Sequence, residues 1–308
     1  MGNAFYFEFE PHLMIWLQNM LGEKGALAIS HLSALGEEAV AIVIIGFLYW
    51  CYDKQFGIYI ATNVITGVVF NGFIKNIALR LRPYIVHKEI VCYRPQDKSA
   101  DIYDVAAQGY SFPSAHSMNS TIIYGSLARY TKGRIFTILA FLLPFLIGIS
   151  RIVVGVHYPS DVMFGWGVGA ILVFLLPFIY EKAGEEKRTL VNFIIFVVFA
   201  TGFFFCKTTD YYTGMGLMAG FFPAIEFEKR YVKFEGTKKP LSIVMRFAGG
   251  FLIYLVLNML LKLPFSKEFL ESYTMGAFVV RFLRYAIIIF VMFGVYPLAF
   301  KLVNKKKA

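Results

Sequence analysis

The sequence predicts an all-α fold, a polytopic bundle of membrane-crossing helices, and three observations carry that prediction. Of 308 residues, 58% are hydrophobic and only 16% are charged, against roughly 25% charged in an average soluble domain. The mean hydropathy is +0.61. The apolar residues are also gathered into runs approaching the ~20 residues that a helix needs to cross about 30 Å of hydrocarbon. This composition excludes disordered and collagen-like chains and disfavours a soluble enzyme.

Along the chain, residues 5–20 mix aromatics with Glu8 and Glu10 and lack a basic start, so they read as an amphipathic interfacial segment, not a cleaved signal. The uncharged run 39–52 is too short to cross unless its helix begins near Leu27. Residues 55–74 offer twenty uncharged positions and span unaided. A connection at 84–112 follows, 29 residues that include Lys88, Arg94, Lys98, Asp101 and Asp104; such length in a compact chain marks a functional or mobile loop. The runs 117–128 and 135–150 are short and must take in polar neighbours that face the bundle interior. Residues 162–180 and 189–206 supply nineteen and eighteen uncharged positions. The shorter 211–225, 247–261 and 285–300 complete nine crossings in a single domain, with a core at about 55–180 and additional helices over 189–303. No internal repeat supports an inverted-repeat transporter.

The net charge of +10, from 30 basic and 20 acidic residues, does not point to nucleic acid. The basic residues lie in patches between apolar runs and in Lys305–Lys307, the pattern of retained cytoplasmic loops. Three cysteines, Cys51, Cys92 and Cys206, are too few and scattered for a disulfide framework or a zinc site. A Cys92–Cys206 bridge would need both on an oxidising side.

Three clusters place ions where a membrane disfavours them: Lys75, Arg80, Arg82 and Pro83; Pro113, Ser114, Ala115 and His116; and Ser150, Arg151, His157 and Asp161. Two crossings separate the second from the third, so parity returns all three to one face. Lys75, Arg82 and Arg151 supply three cations there, and the planar guanidinium forks fit phosphate oxygens. Pro113 suits a helix's first turn, which would leave the N–H groups of Ser114, Ala115 and His116 pointing at the site as an anion pocket. Asp161, four residues after His157, can accept a proton from one imidazole nitrogen and leave the other to attack. Each residue alone has a plainer reading, since juxtamembrane cations snorkel and a lone histidine often caps a helix. The constellation does not. A zinc site built from His116, His157 and Asp161 is opposed by the clustered cations.

Other charges stay open between two roles. Glu37 and Glu38 either pair with Lys75 or Arg80 behind the site or serve structure alone. Arg281 and Arg284 either meet an anionic headgroup or anchor a helix at the interface. Arg246 is expected to snorkel.

The spacings Lys75-x6-Arg82-Pro83, Pro113-Ser114-Ala115-His116 and Ser150-Arg151-x5-His157-x3-Asp161 resemble the three signature motifs of the type 2 phosphatidic acid phosphatase (PAP2) superfamily. The motifs cover 75–161 and depart from the pattern at Ala115, where glycine is usual; alanine keeps the backbone N–H. Gly36-Glu37-Glu38 and the extra C-terminal helices resemble the nine-helix sphingosine-phosphate phosphatase and glucose-6-phosphatase branch. The resemblance implies hydrolysis through a phosphohistidine without metal or other cofactor. His157 would be the nucleophile, Asp161 its orienter and His116 the acid and then base. Lys75, Arg82, Ser114, Ala115 and Arg151 would hold the phosphoryl oxygens. The expected function is a membrane phosphatase acting on a lipid phosphate or diphosphate: polyprenyl diphosphate, phosphatidate or phosphatidylglycerophosphate, or a sphingoid-base phosphate. Its partners are the bilayer and that lipid, not nucleic acid. The expected location is a bacterial cytoplasmic membrane with the site on the non-cytoplasmic face, or the endoplasmic reticulum in a eukaryote. The alternatives are a sugar-phosphate phosphatase of the same chemistry and a non-hydrolytic lipid-phosphate transporter or binding protein.

Overall fold

The computed structural model describes residues 2–94 and 101–300. Lys98 and the Lys305–Lys307 tail lie outside the described residues. The described chain is helical apart from loops and one isolated parallel bridge between Asn3 and Arg80. In order, the helices are α1 (Phe9–Ser30), α2 (Glu38–Phe47), α3 (Lys54–Ala78), α4 (Pro83–Val86), α5 (Val105–Gln108), α6 (Ala115–Thr131) and α7 (Arg134–Val153). They continue as α8 (Pro159–Ala183), α9 (Arg188–Ala200), α10 (Thr209–Phe227), α11 (Pro240–Leu260), α12 (Lys267–Leu270) and α13 (Met275–Phe290).

Among the described residues, seven helical stretches are long and apolar enough to cross a membrane: Phe9–Tyr52, Lys54–Ala78, Arg134–Val153, Pro159–Ala183, Glu185–Phe204, Pro240–Leu260 and Met275–Phe300. The expected runs 117–128 and 211–225 fall in α6 and α10, which do not meet that standard, so nine crossings are not established. α6 is short, at 17 residues, and its buried side includes Ser117, Asn119, Ser120 and Ser126. A helix surrounded by protein can carry polar residues that a lipid-facing helix cannot.

The chain forms two compact units. One comprises Phe70–Leu176 with the N-terminal segment through Ala41, and the other Ile42–Val69 with the chain from Pro177 onward. In the first unit α6 packs on α7, and α1 joins them. Residues 5–20 are two-sided, with Phe7, Phe9, Trp16 and Met20 exposed and the polar side packed into protein. Glu10, Met14 and Gln18, four apart on α1, turn inward, and Glu10 is fully buried. Gln18 donates to the carbonyls of Val91 and Val153 and accepts from Val91 N–H, tying α1 to the loop and to the end of α7. In the second unit α10 packs on α13, where a Cβ at Gly216 or Gly220 would strike the carbonyls of Phe282 and Ala286. Arg246 is buried instead of snorkelling. It donates to the carbonyls of Trp50 and Glu235 and lies over the Phe300 ring. All three cysteines are free.

Candidate active site

Every motif residue falls in the first unit, and the turn between α7 and α8 is its centre. Gly155 makes that turn with φ +79°, and a Cβ there would collide with the Val91 carbonyl. The chain then presents His157, 3% exposed, one turn before Asp161, 0% exposed. His157 Nδ1 lies 3.5 Å from Asp161 Oδ2. This is oriented but longer than an ordinary hydrogen bond, and Nδ1 has no hydrogen-bond partner. Asp161 is itself held on both oxygens. Oδ2 accepts from Tyr158 N–H at 2.8 Å, and Oδ1 accepts from Arg80 at 2.6 Å.

Arg80 is the residue around which this corner is built. It is 1% exposed and donates to Asp161, to Glu10 Oε2 at 2.9 Å, to Ser160 Oγ at 2.8 Å and to the Phe5 carbonyl at 2.7 Å. Its guanidinium also lies 4.0 Å from the centre of the Tyr158 ring. Of the two cations expected to meet Glu37 or Glu38, Arg80 takes Asp161 and Glu10 instead. Glu37 and Glu38 are exposed, although the charge of Glu37 acts on Arg151. Glu10 was missed because no local pattern links it to a residue 70 positions away.

The N-terminus of α6 enters the same unit beside α8. A Cβ at Gly165 would lie 2.8 Å from the Ser114 carbonyl, so the close approach of the two helices depends on glycine there. Ser114 caps α6, with its oxygen accepting from Ser117 N–H and from the Ser117 hydroxyl. The expected trio of open amides is reduced. Pro113 precedes the cap instead of occupying the first turn, and Ser114 N–H is taken by the Asp161 carbonyl at 3.1 Å. The Ala115 and His116 amides begin the helix.

Lys75, Arg82 and Arg151 are buried, with 5%, 6% and 6% exposure. Arg82 directs its fork at backbone: it donates to the carbonyls of Gln108, Gly109 and Val156, fastening the far end of the long loop to its beginning. Arg151 Nε is buried and has no hydrogen-bond partner. Burial pushes the His157 imidazole well below the usual histidine range. The positive charges of Arg82, Arg151 and Lys75 and then of His116 push the same way, so all four lie within electrostatic reach of it. Arg94 is an addition that the motifs did not contain. Its charge acts on both His116 and Arg151, and its buried Nε has no partner. Its only sequence signal was a cation within an overlong loop.

Beside this cluster lies an apolar groove of about 570 Å³, lined by Phe7, Phe9, Ser160, Met163, Phe164 and Ile171. Among the described residues no three His, Cys, Asp or Glu side chains are grouped to hold a metal ion.

Two family models match the chain, "PAP2 superfamily" over residues 54–185 and "PAP2 superfamily phosphatase, transmembrane extension" over 212–308. Phosphatidylglycerophosphatase B of Bacillus subtilis (strain 168) is 28% identical over 56% of this chain and 80% of its own. Undecaprenyl-diphosphatase of Sulfolobus acidocaldarius is 28% identical over 51% of this chain and 71% of its own. Lipid A 1-phosphatase of Rhizobium etli is 27% identical over 43% and 54%. The crystal structure of a transmembrane PAP2-type phosphatidylglycerolphosphate phosphatase from Bacillus subtilis is 22% identical, with a TM-score of 0.39, over 57% of this chain and 98% of that one. The two family models lie on either side of residues 186–211, the first holds every motif residue, and together they assign the chain, an integral multi-pass membrane protein, to the PAP2 superfamily of phosphatases.

Proposed function

We propose that this chain hydrolyses the phosphate or diphosphate of a membrane lipid through a covalent intermediate on His157. The observation that carries the reading is the pairing of two features in one unit: a buried imidazole between a fixed carboxylate and several cations, and an apolar groove beginning at Ser160. A sugar phosphate needs the first feature but not the second. A transporter needs neither a nucleophile nor an acid.

In the first step the Nε2 lone pair of neutral His157 attacks phosphorus. The bond from phosphorus to the leaving oxygen breaks, the lipid oxygen of a monophosphate or the bridging oxygen of a diphosphate, and His116 donates a proton to that oxygen as the lipid alcohol or lipid monophosphate leaves. Asp161 keeps the Nδ1 proton in place and stabilises the imidazolium character that develops; contacts of this kind shorten as charge appears. In the second step His116 takes a proton from water, the water oxygen attacks phosphorus, and the N–P bond breaks. Inorganic phosphate leaves, His157 is neutral again and His116 is again protonated. Lys75, Arg82 and Arg151 balance the charge that spreads over the phosphoryl oxygens, with the α6 amides of Ala115 and His116. The Ser114 hydroxyl, whose oxygen accepts from Ser117, directs its own hydrogen to one of those oxygens. The positive charge that a metal would supply comes from these side chains.

The relatives' names point to phosphatidylglycerophosphate, undecaprenyl diphosphate and lipid A phosphate as substrate classes. The basic patches between spans favour the non-cytoplasmic face for this site, and the bacterial and archaeal sources of the relatives favour a prokaryotic cytoplasmic membrane. The test is phosphate release in chelator from phosphatidate, phosphatidylglycerophosphate, polyprenyl diphosphate, sphingoid-base phosphate and glucose 6-phosphate, with and without orthovanadate. Vanadate-sensitive release from one or more lipids is expected. Release from glucose 6-phosphate alone would overturn the lipid reading.

A further inference from the structure

Arg284 lies in a membrane-spanning stretch of the second unit, is 6% exposed, and has no acidic partner among the described residues. Its one hydrogen bond goes to Asn258 Oδ1 at 3.0 Å, its nearest ring is Tyr285 at 5.6 Å, and its buried Nε has no partner. The titratable groups that bear on it are Tyr285, Arg281 and Tyr254, two neutral phenols and a cation, with no carboxylate among them. A neutral amide and a ring do not compensate a guanidinium in hydrocarbon; an unpaired ion there is costly and marks a site. Two further cations gather at the same place. Arg281 stands one helical turn from Arg284 on the same face of α13, and Lys262, just past the end of α11, feels the charges of both. Glu271 acts on Lys262 but is not among the groups acting on Arg284.

We infer that Arg284, Arg281 and Lys262, with Asn258, form an anion site separate from the catalytic cluster, whose ligand is the phosphate of an anionic phospholipid. The charges call for an anion and the surroundings call for a lipid. Leu283 and Ile287 of α13 and Leu255 and Met259 of α11 are exposed apolar side chains flanking the cations, a surface for acyl chains below a headgroup. The inference does not depend on hydrolysis at His157, and its test does not read turnover.

The test is native mass spectrometry of the full chain in neutral detergent, titrated with dioleoyl phosphatidylglycerol, a phosphodiester with no phosphomonoester to be hydrolysed. Wild type should retain this lipid about tenfold more tightly than R284Q, with R281Q intermediate. R281Q changes a half-buried residue, which guards against a folding defect in R284Q. Retention of phosphatidylcholine should not distinguish the three proteins, and R151Q should keep the phosphatidylglycerol bound. Equal retention by wild type and both variants would overturn the site. So would loss in R151Q without loss in R284Q, which would assign the lipid to the catalytic cluster. Displacement of the lipid by millimolar inorganic phosphate alone would make the ligand a free anion and overturn the lipid assignment.

Discussion

Around Asp161 the two oxygens have different partners, and the difference gives each neighbour a distinct role. Arg80 fixes Oδ1, leaving Oδ2 to meet Tyr158 N–H and His157. Glu10 completes the arrangement by taking the other end of Arg80 and the Ser160 N–H. Removing one member of such a buried network leaves a charge uncompensated, so Glu10→Ala should lower stability by about 3–5 kcal/mol, read as a fall in melting temperature in detergent. Arg94 should behave differently because it bears on charge near the substrate and not on the fold. Arg94→Ala should raise KM about tenfold with a smaller change in kcat; an unchanged KM would remove it from the site. The depressed pKa of His157 sets the sign of the pH response. The nucleophile must be neutral, and burial with its cations keeps it neutral below the usual 6.5, so the acid limb of kcat/KM should fall below that pH. Lys75→Met removes one of those cations and should move the limb upward.

Helix by helix, the close approach of α8 to α6 is what aligns the cap of α6 with the His157 turn. Gly165 permits that approach, since its Cβ position is 2.8 Å from the Ser114 carbonyl and 3.2 Å from Met118 N. Gly165→Leu should therefore cost at least about a hundredfold in kcat/KM while the protein remains helical by circular dichroism; unaltered kinetics would show that the alignment is not needed. Seven of the nine expected runs coincide with long apolar helices, and the motif spacings were legible as a pattern, because hydrophobic run length and fixed short spacings are local properties of the chain. Glu10 was not, since its pairing with Arg80 is made by tertiary packing of α1. The backbone role of Arg82 was not legible either, because side-chain type announces a cation and not the carbonyls it will meet. Pro113 was read as helix-initiating when Ser114 holds the cap, a shift of the helix start that redirects the Ser114 N–H to Asp161.

For the whole molecule, charge is scarce, and its placement separates two kinds of role. In the first unit the buried ions surround His157; in the second, Lys54 pairs with Glu228, Arg246 is held by carbonyls, and Arg284 has no acid among the described residues. Lys132 and Arg134 mark one end of α7 as cytoplasmic by the positive-inside bias, which predicts that the opposite end of α7, and with it the segment at Tyr103, exposed in the long loop, faces away from the cytoplasm. Tyr103→Cys should accordingly react with an impermeant thiol reagent on intact cells, whereas reaction only after permeabilisation would reverse the orientation. Rapid acid-free quenching of turnover with a 32P-labelled lipid phosphate would trap the covalent intermediate on His157. An acid-labile, alkali-stable phosphoprotein should map to the peptide containing His157, disappear in His157→Ala and accumulate in His116→Ala. Phosphate release by His157→Ala at the wild-type rate, or label on any other residue, would contradict that intermediate.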